Sequence, residues 1–189
     1  LLRLAGVEAH ASENPQVASV TDRLSEVAPG SLFVGIRGAK TDGSTLFSAA
    51  IERGAVAVAS EGVATSGLGV AHIALQSDRR DLARLAAAFY DNPSKDLNII
   101  GVTGTNGKTT TTFILDSILR AHGQPAAVLG TIHYETGLSS RPASLTTPAA
   151  VELQELLGDA RDAGRKNVVM EVSSHALAQH RVHAVEFDV

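Results

Sequence analysis

The sequence contains no cysteine, which excludes disulfides and thiolate metal sites. It has no tryptophan, and aromatic residues make up only 4% of it, too few for the stacking platforms that hold single-stranded nucleic acid. Positive charge is in deficit. Sixteen Lys and Arg against 20 Asp and Glu give a formal net charge of -4, which argues against the basic face of a nucleic-acid binder. No apolar run approaches the ~20 residues of a membrane span, and no charged n-region with an apolar h-region opens the chain. These absences fit a soluble, cytoplasmic protein. What is present is 44% hydrophobic residues in a chain of 189, enough to build one large domain or two small ones.

Along the chain, short apolar runs alternate with helical patterns. Val17–Val20, Ser31–Ile36, Ala55–Ala59 and Val70–Leu75 read as strands. Arg37 to Gly43 is a polar loop, and Ser44 or Thr45 is expected to cap a helix running to Arg53. Asp78 is expected to cap a second helix to Tyr90, with Leu82, Leu85, Ala86 and Phe89 on one face. Asp91 to Asp96 is a polar, Pro-containing break, and the domain boundary is placed there, giving domains 1–96 and 97–189. Beyond it, Leu97–Val102, Ala126–Gly130 and Asn167–Val172 read as strands. A loop or hairpin is expected over Thr131–Leu145, and a helix capped by Thr147 over Pro148–Ala163. This alternation implies an α/β fold with parallel sheets and ligands at the C-terminal strand ends. The end at Glu186–Val189 reads as a strand cut short, as in part of a longer enzyme.

Gly101-Val-Thr-Gly-Thr-Asn-Gly-Lys-Thr-Thr110 lies between a strand and a helical pattern whose apolar residues include Phe113, Ile114, Ile118 and Leu119. Strand, Gly-rich turn, Lys-Thr and helix is the layout of a phosphate-binding loop, in which backbone N–H groups and a Lys face an anion. The general pattern would put its first glycine on Val102, so Gly101, Gly104 and Gly107 form a related but distinct spacing. Lys108 would neutralise phosphate charge, and the Thr109 hydroxyl suits Mg²⁺, a hard cation.

Glu171 sits in an apolar strand, where a carboxylate is costly unless paired or metal-bound. It would either complete a Mg²⁺ shell or pair with a buried Arg. Thr146-Thr147-Pro148 would hold a substrate phosphate or amide, or simply cap a helix. The Ser173–His183 stretch, with His175, His180 and His183, lacks a zinc-protease spacing and reads better as a polar, substrate-facing loop.

Together these stretches resemble the Mur ligase family. The shifted glycine spacing of 101–110 looks like that family's ATP-binding signature, although folylpolyglutamate synthetases share a related loop. Thr21-Asp-Arg23, Pro29–Val34 and Asp42-Gly43 are similar to the family's first domain. Leu145-Thr-Thr-Pro148, Met170–Leu177 and Gln179-His-Arg181 look like the branch that adds a diamino acid. The resemblance implies an N-terminal domain that binds the UDP-substrate, followed by the first part of an ATPase domain. It implies an ATP-dependent amide ligase joining meso-diaminopimelate, lysine or ornithine to UDP-N-acetylmuramoyl-L-alanyl-D-glutamate through an acyl phosphate, in peptidoglycan synthesis. The alternatives are a MurF-type ligase, or a non-catalytic module that binds nucleotide or UDP-sugar.

By the same resemblance, Lys108 and Glu171 are catalytic. Gly104, Thr105, Asn106, Gly107, Lys108, Thr109 and Thr110 bind ATP, and Thr109 and Glu171 hold Mg²⁺. Thr146, Thr147, Ser173, Gln179 and Arg181 contact the UDP-sugar peptide. Val20, Asp22 and the Ala39-Lys40-Thr41 segment face the uridine end. The family often has Asp-Ser-Arg where this chain has Thr21-Asp22-Arg23, and a carboxylate there suits uracil N–H or ribose better than a diphosphate. A monomer is expected. The family's modified Lys and its amino-acid-binding domain would lie beyond Val189, so residues 1–189 alone are expected not to turn over.

Overall fold

A computed structural model of the chain describes residues 1–7, 15–38, 42–62 and 67–189. The chain divides into two compact units, Leu1–Phe89 and Tyr90–Val189.

The first unit is built on a four-stranded parallel sheet of β1 (Ser19–Thr21), β2 (Ser31–Val34), β3 (Ala57–Glu61) and β4 (Ala71–Leu75), in that spatial order. Every residue of β2 is buried, as a parallel strand covered on both faces requires. Phe33 meets Phe47 of α1 (Phe47–Glu52) edge to face, and Ala50, Ala55 and Val58 complete that cluster. Helix α2 (Asp78–Phe89) buries Leu82, Leu85 and Ala86, the face its periodicity gives.

One capping expectation is corrected in this unit. Neither Ser44 nor Thr45 caps a helix. The Asp42 carboxylate accepts from Ser44 N at 2.9 Å and starts a 3-10 turn, Gly43–Leu46, that leads into α1. Carboxylate capping is local here, and it holds the Asp42 acid below the usual range through its bonds from Ser44. Asp78 is the first residue of α2, and its buried carboxylate accepts from Arg79 N at 2.6 Å in the helix's first turn and from Arg37 N at 2.7 Å. Asp81, one turn in, reaches back to accept from the backbone N–H groups of Gln76 and Ser77, just ahead of the helix.

The second unit contains β5 (Asn98–Val102), α3 (Lys108–Ala121), β6 (Ala127–Leu129), β7 (His133–Glu135), β8 (Ser140–Pro142), α4 (Ala150–Asp162), β9 (Asn167–Glu171) and α5 (Ser174–Ala178). The sheet order is β5-β9-β6-β7-β8. β5, β9 and β6 are parallel, and the expected hairpin of β7 and β8 adds an antiparallel edge. β9, last in sequence, lies between β5 and β6, so the C-terminal ends of three strands from distant parts of the chain are neighbours. Residues 188 and 189 run beside β5, with Asp188 N donating to Ile99 O at 3.0 Å and Gly101 N donating to Val189 O at 2.9 Å.

Helix α3 departs from its apolar pattern. Ile114 and Ile118 are exposed, while Thr112 and Asp116 are buried. Thr109, Thr112 and Asp116 share a face at i, i+3, i+7 spacing. That face is turned inward because Thr109 is tied to β9, as described below, and Asp116 is partnered by Arg120 at 3.1 Å.

No helix among the described residues is long and apolar enough to cross a membrane. Backbone packs on backbone at Gly35 and Gly43. A Cβ on Gly43 would lie 2.6 Å from Ile36 N and 2.8 Å from Ile36 O. Gly43→Ala is therefore expected to destabilise the chain by about 1–3 kcal/mol, measured by urea denaturation. A loss below about 0.5 kcal/mol, the usual range of a neutral surface change, would show that the contact gives way.

Candidate active site

The site lies at the C-terminal ends of β5, β9 and β6. After β5, the chain turns through exposed residues 103–107, with φ of 145° at Gly104 and 83° at Gly107, and enters α3. Both values suit glycine and strain any other residue. Gly101 differs, since its role is steric. A Cβ there would lie 2.8 Å from the Phe187 ring. The unusual glycine spacing thus divides into one packing glycine and two turn glycines. Lys108 begins α3, and its ammonium donates to Gly104 O at 2.7 Å.

Glu171 ends β9 and is only 1% exposed, so its carboxylate needs donors. The Thr109 hydroxyl donates to Oε1 at 2.9 Å. Thr131, just after β6, donates to Oε1 from its backbone N–H at 2.9 Å and to Oε2 from its hydroxyl at 3.1 Å. The buried arginine that would make Glu171 an ordinary ion pair is not among its donors. Gly130 makes the approach possible, because a Cβ there would overlap Glu171 Oε1.

A divalent cation fits this pair. Mg²⁺ binds oxygen at ~2.0–2.1 Å in an octahedron, so adjacent ligand oxygens lie about 2.9 Å apart. Thr109 Oγ1 and Glu171 Oε1 already have that separation. Among the described residues, no group of three or more His, Cys, Asp or Glu could hold a metal. His175 Nε2 lies 2.8 Å from Gln179 Nε2, and His180 and His183 stack edge to face.

The segment after β8 is anchored by Tyr134. Its ring is fully buried, and its hydroxyl donates to Leu145 O and accepts from Leu145 N. This places Thr146 and Thr147. Thr146 Oγ1 is 3.1 Å from Thr131 Oγ1. Thr147 does not cap α4, which begins two residues after Pro148 with Ala149 at its N-cap. Its hydroxyl instead donates to Glu171 O at 2.9 Å and accepts from Ser173 N at 3.0 Å, stitching the loop to the end of β9. Ser173 caps α5 through Ala176 N, so the expected polar loop contains a short helix. Arg181 donates to Thr147 O at 2.9 Å and, through Nε and an Nη, to Gln179 Oε1. Thr147, Ser173, Gln179 and Arg181 thus form one hydrogen-bonded group beside Glu171, with Thr146 next to it in sequence and bonded to Thr131.

In the first unit, Val20 is buried in β1, so it can offer a ligand its backbone but not its side chain. Ala39, Lys40 and Thr41 lie outside the described residues. Asp22 follows β1. Burial pushes its acid up from the usual aspartate value, and neighbouring Arg23 pulls it back down. Residues missed by sequence reading are Gly130, Thr131 and Tyr134. The Gly-Thr pair after an apolar strand was the available signal for the first two.

Gly130→Ala is expected to push Glu171 from its donors and to cost about 1–3 kcal/mol in urea denaturation. Unchanged stability would mean that the carboxylate has room to move. For Asp22 the sign follows from its raised pKa. The fold favours the protonated acid, so stability is lost as pH rises from 3.8 through the raised value. Asp22→Asn is expected to raise the midpoint of thermal unfolding at neutral pH, with the gain shrinking below about pH 4. A lowered midpoint at neutral pH would contradict this.

Comparison with known proteins gives a consistent answer. Residues 16–90 match the family model described as "Mur ligase family, catalytic domain", and residues 102–189 match "Mur ligase middle domain". The chain is 47% identical over 164 residues to a UDP-N-acetylmuramoyl-L-alanyl-D-glutamate–2,6-diaminopimelate ligase of Geobacter sulfurreducens, covering 87% of this chain and 32% of the relative. It is 42% identical over 189 residues to the ligase of that name from Geobacillus thermodenitrificans, covering 100% and 38%. A solved structure of a ligase of that name superposes with a TM-score of 0.69 at 30% identity, covering 90% of this chain and 35% of the other. MurF from Acinetobacter baumannii has a TM-score of 0.62 at 20% identity, covering 92% and 34%, a likeness of fold alone. The chain spans about a third of the length of these proteins. With both of its units matched by models of one family, over most of its residues, the chain belongs to the Mur ligase family.

Proposed function

We propose that the chain carries the UDP-substrate-binding domain and the first part of the ATP-binding domain of a peptidoglycan ligase. The enzyme joins a diamino acid to UDP-N-acetylmuramoyl-L-alanyl-D-glutamate at the expense of ATP. The observation that carries this reading is the 2.9 Å contact of Thr109 with Glu171, at the start of the helix that Lys108 opens. It joins a phosphate loop to a buried carboxylate at adjacent strand ends. The names of relatives 42–47% identical to the chain support the diamino-acid branch, with 2,6-diaminopimelate the amino acid those names give. The MurF likeness, at 20% identity, does not distinguish the branches.

The reaction begins with attack of the substrate carboxylate on the γ-phosphate of ATP. The acyl phosphate is then attacked by the amine of the incoming amino acid, leaving an amide, ADP and phosphate. Phosphoryl transfer needs positioning and charge neutralisation more than covalent help. The backbone of Gly104–Gly107, with Lys108, Thr109 and Thr110, cradles the nucleotide phosphates. Lys108 exchanges Gly104 O for a phosphate oxygen. Thr109 and Glu171 would hold Mg²⁺, which offsets phosphate charge when bound. The group of Thr147, Ser173, Gln179 and Arg181, with Thr146 beside it, orients the UDP-sugar peptide, and Val20, Asp22 and Ala39–Thr41 serve the uridine end. Such an enzyme works in the cytoplasm, where its soluble substrates are made.

The test is incubation of the complete polypeptide with UDP-N-acetylmuramoyl-L-alanyl-D-glutamate, ATP, Mg²⁺ and each diamino acid, with products weighed by mass spectrometry. Lys108→Ala is expected to lower turnover about 100- to 1,000-fold while leaving UDP-substrate binding largely intact. Retained turnover would remove Lys108 from the mechanism, and absence of any tripeptide product from the parent would remove the ligase reading.

A further inference from the structure

The Thr131 hydroxyl has one proton and two acceptors, Glu171 Oε2 and Thr146 Oγ1, each at 3.1 Å. It can serve only one at a time. An ionised carboxylate is the stronger acceptor, so the proton belongs to Glu171 Oε2 while the carboxylate holds no cation. A cation on that carboxylate weakens it as an acceptor, and the proton then turns to Thr146. The other contacts of Thr131 do not change in this exchange, because its backbone N–H stays on Oε1. Gly130 keeps the carboxylate close enough for both bonds.

We propose that Thr131 is a positioning residue that couples occupancy of the Glu171 cation site to the UDP-substrate group at Thr146. With the cation bound, Thr146 accepts a bond from Thr131, and its own proton is left to donate to the substrate. With no cation on the carboxylate, Thr146 lacks that orienting bond. Cation and nucleotide therefore tighten the UDP-substrate, and by linkage the UDP-substrate tightens the cation to the same degree. The proposal rests on the reading of Glu171 as a cation ligand.

The experiment uses the complete polypeptide with Mn²⁺ as the paramagnetic probe, ADP, and UDP-N-acetylmuramoyl-L-alanyl-D-glutamate, and it measures binding without turnover. UDP-substrate affinity is read by calorimetry with and without Mn²⁺ and ADP, and Mn²⁺ affinity by electron paramagnetic resonance. In the parent, Mn²⁺ with ADP is expected to tighten the UDP-substrate roughly fivefold or more. Thr131→Val keeps the backbone N–H and the shape but lacks the hydroxyl, and it should bring that factor close to one. Thr131→Ser should restore it. Thr146→Val, at the other end of the pair, should also lose the coupling while keeping the Mn²⁺ affinity of the parent. Parent-level coupling in Thr131→Val overturns the proposal, as does a loss that Thr131→Ser fails to restore. Should Thr131→Val not fold, parent-level coupling in Thr146→Val overturns it equally. Glu171→Gln tests the underlying reading separately. Unchanged Mn²⁺ affinity in that variant means that Glu171 is not the ligand, whatever Thr131 does.

Discussion

A carboxylate buried to 1% exposure at the end of a central strand is the constraint on which this site depends. Left without donors it would cost several kcal/mol. Its three donors come from two other strand ends: Thr109, after the loop that follows β5, and Thr131, after β6. The need to satisfy Glu171 therefore fixes three strands relative to one another at their C-terminal ends. It also dictates a glycine at 130, and it sets the rotation of α3, since Thr109 cannot face β9 unless Thr112 and Asp116 do so as well.

The two sides of Glu171 differ in character. On the loop side, residues 103–107 are exposed, their turn is made by glycines with positive φ, and Lys108 bonds to its own loop. On the other side, Thr147, Ser173, Gln179 and Arg181 are linked by hydrogen bonds into a preformed group, with Tyr134 fastening the backbone just ahead of it. An exposed, glycine-turned loop thus lies on one side of Glu171 and a hydrogen-bonded polar group on the other.

Much of the fold was legible from pattern. The strands around Phe33, Val58, Ile73, Ile99, Val128 and Val169 stood out because buried parallel strands are continuous apolar runs. The Gly-rich turn between β5 and α3 stood out because its turn chemistry is local. What pattern could not show were effects decided by tertiary contact. Asp42 caps where Ser44 or Thr45 was expected, and Asp81 joins Asp78 at the start of α2, because which of several nearby oxygens reaches an N–H depends on how the chain enters the helix. Thr147 reads as a cap from sequence, yet its hydroxyl spans to Glu171 and Ser173, residues 24 and 26 positions away. Ile114 and Ile118 face outward although α3 is amphipathic, since anchoring at Thr109 overrides the stripe. The Gly130-Thr131 pair after an apolar strand marks a strand end in the sequence, but that its glycine makes room for a carboxylate 41 residues later is decided by tertiary contact.

The most direct test of the account is a structure of the protein with Mg²⁺ and a non-hydrolysable ATP analogue. The account predicts a cation between Thr109 Oγ1 and Glu171, bound directly or through one water, and the Lys108 ammonium moved from Gly104 O to a phosphate oxygen. A nucleotide whose phosphates lie away from residues 104–110, or a cation held without Thr109 and Glu171, would contradict it.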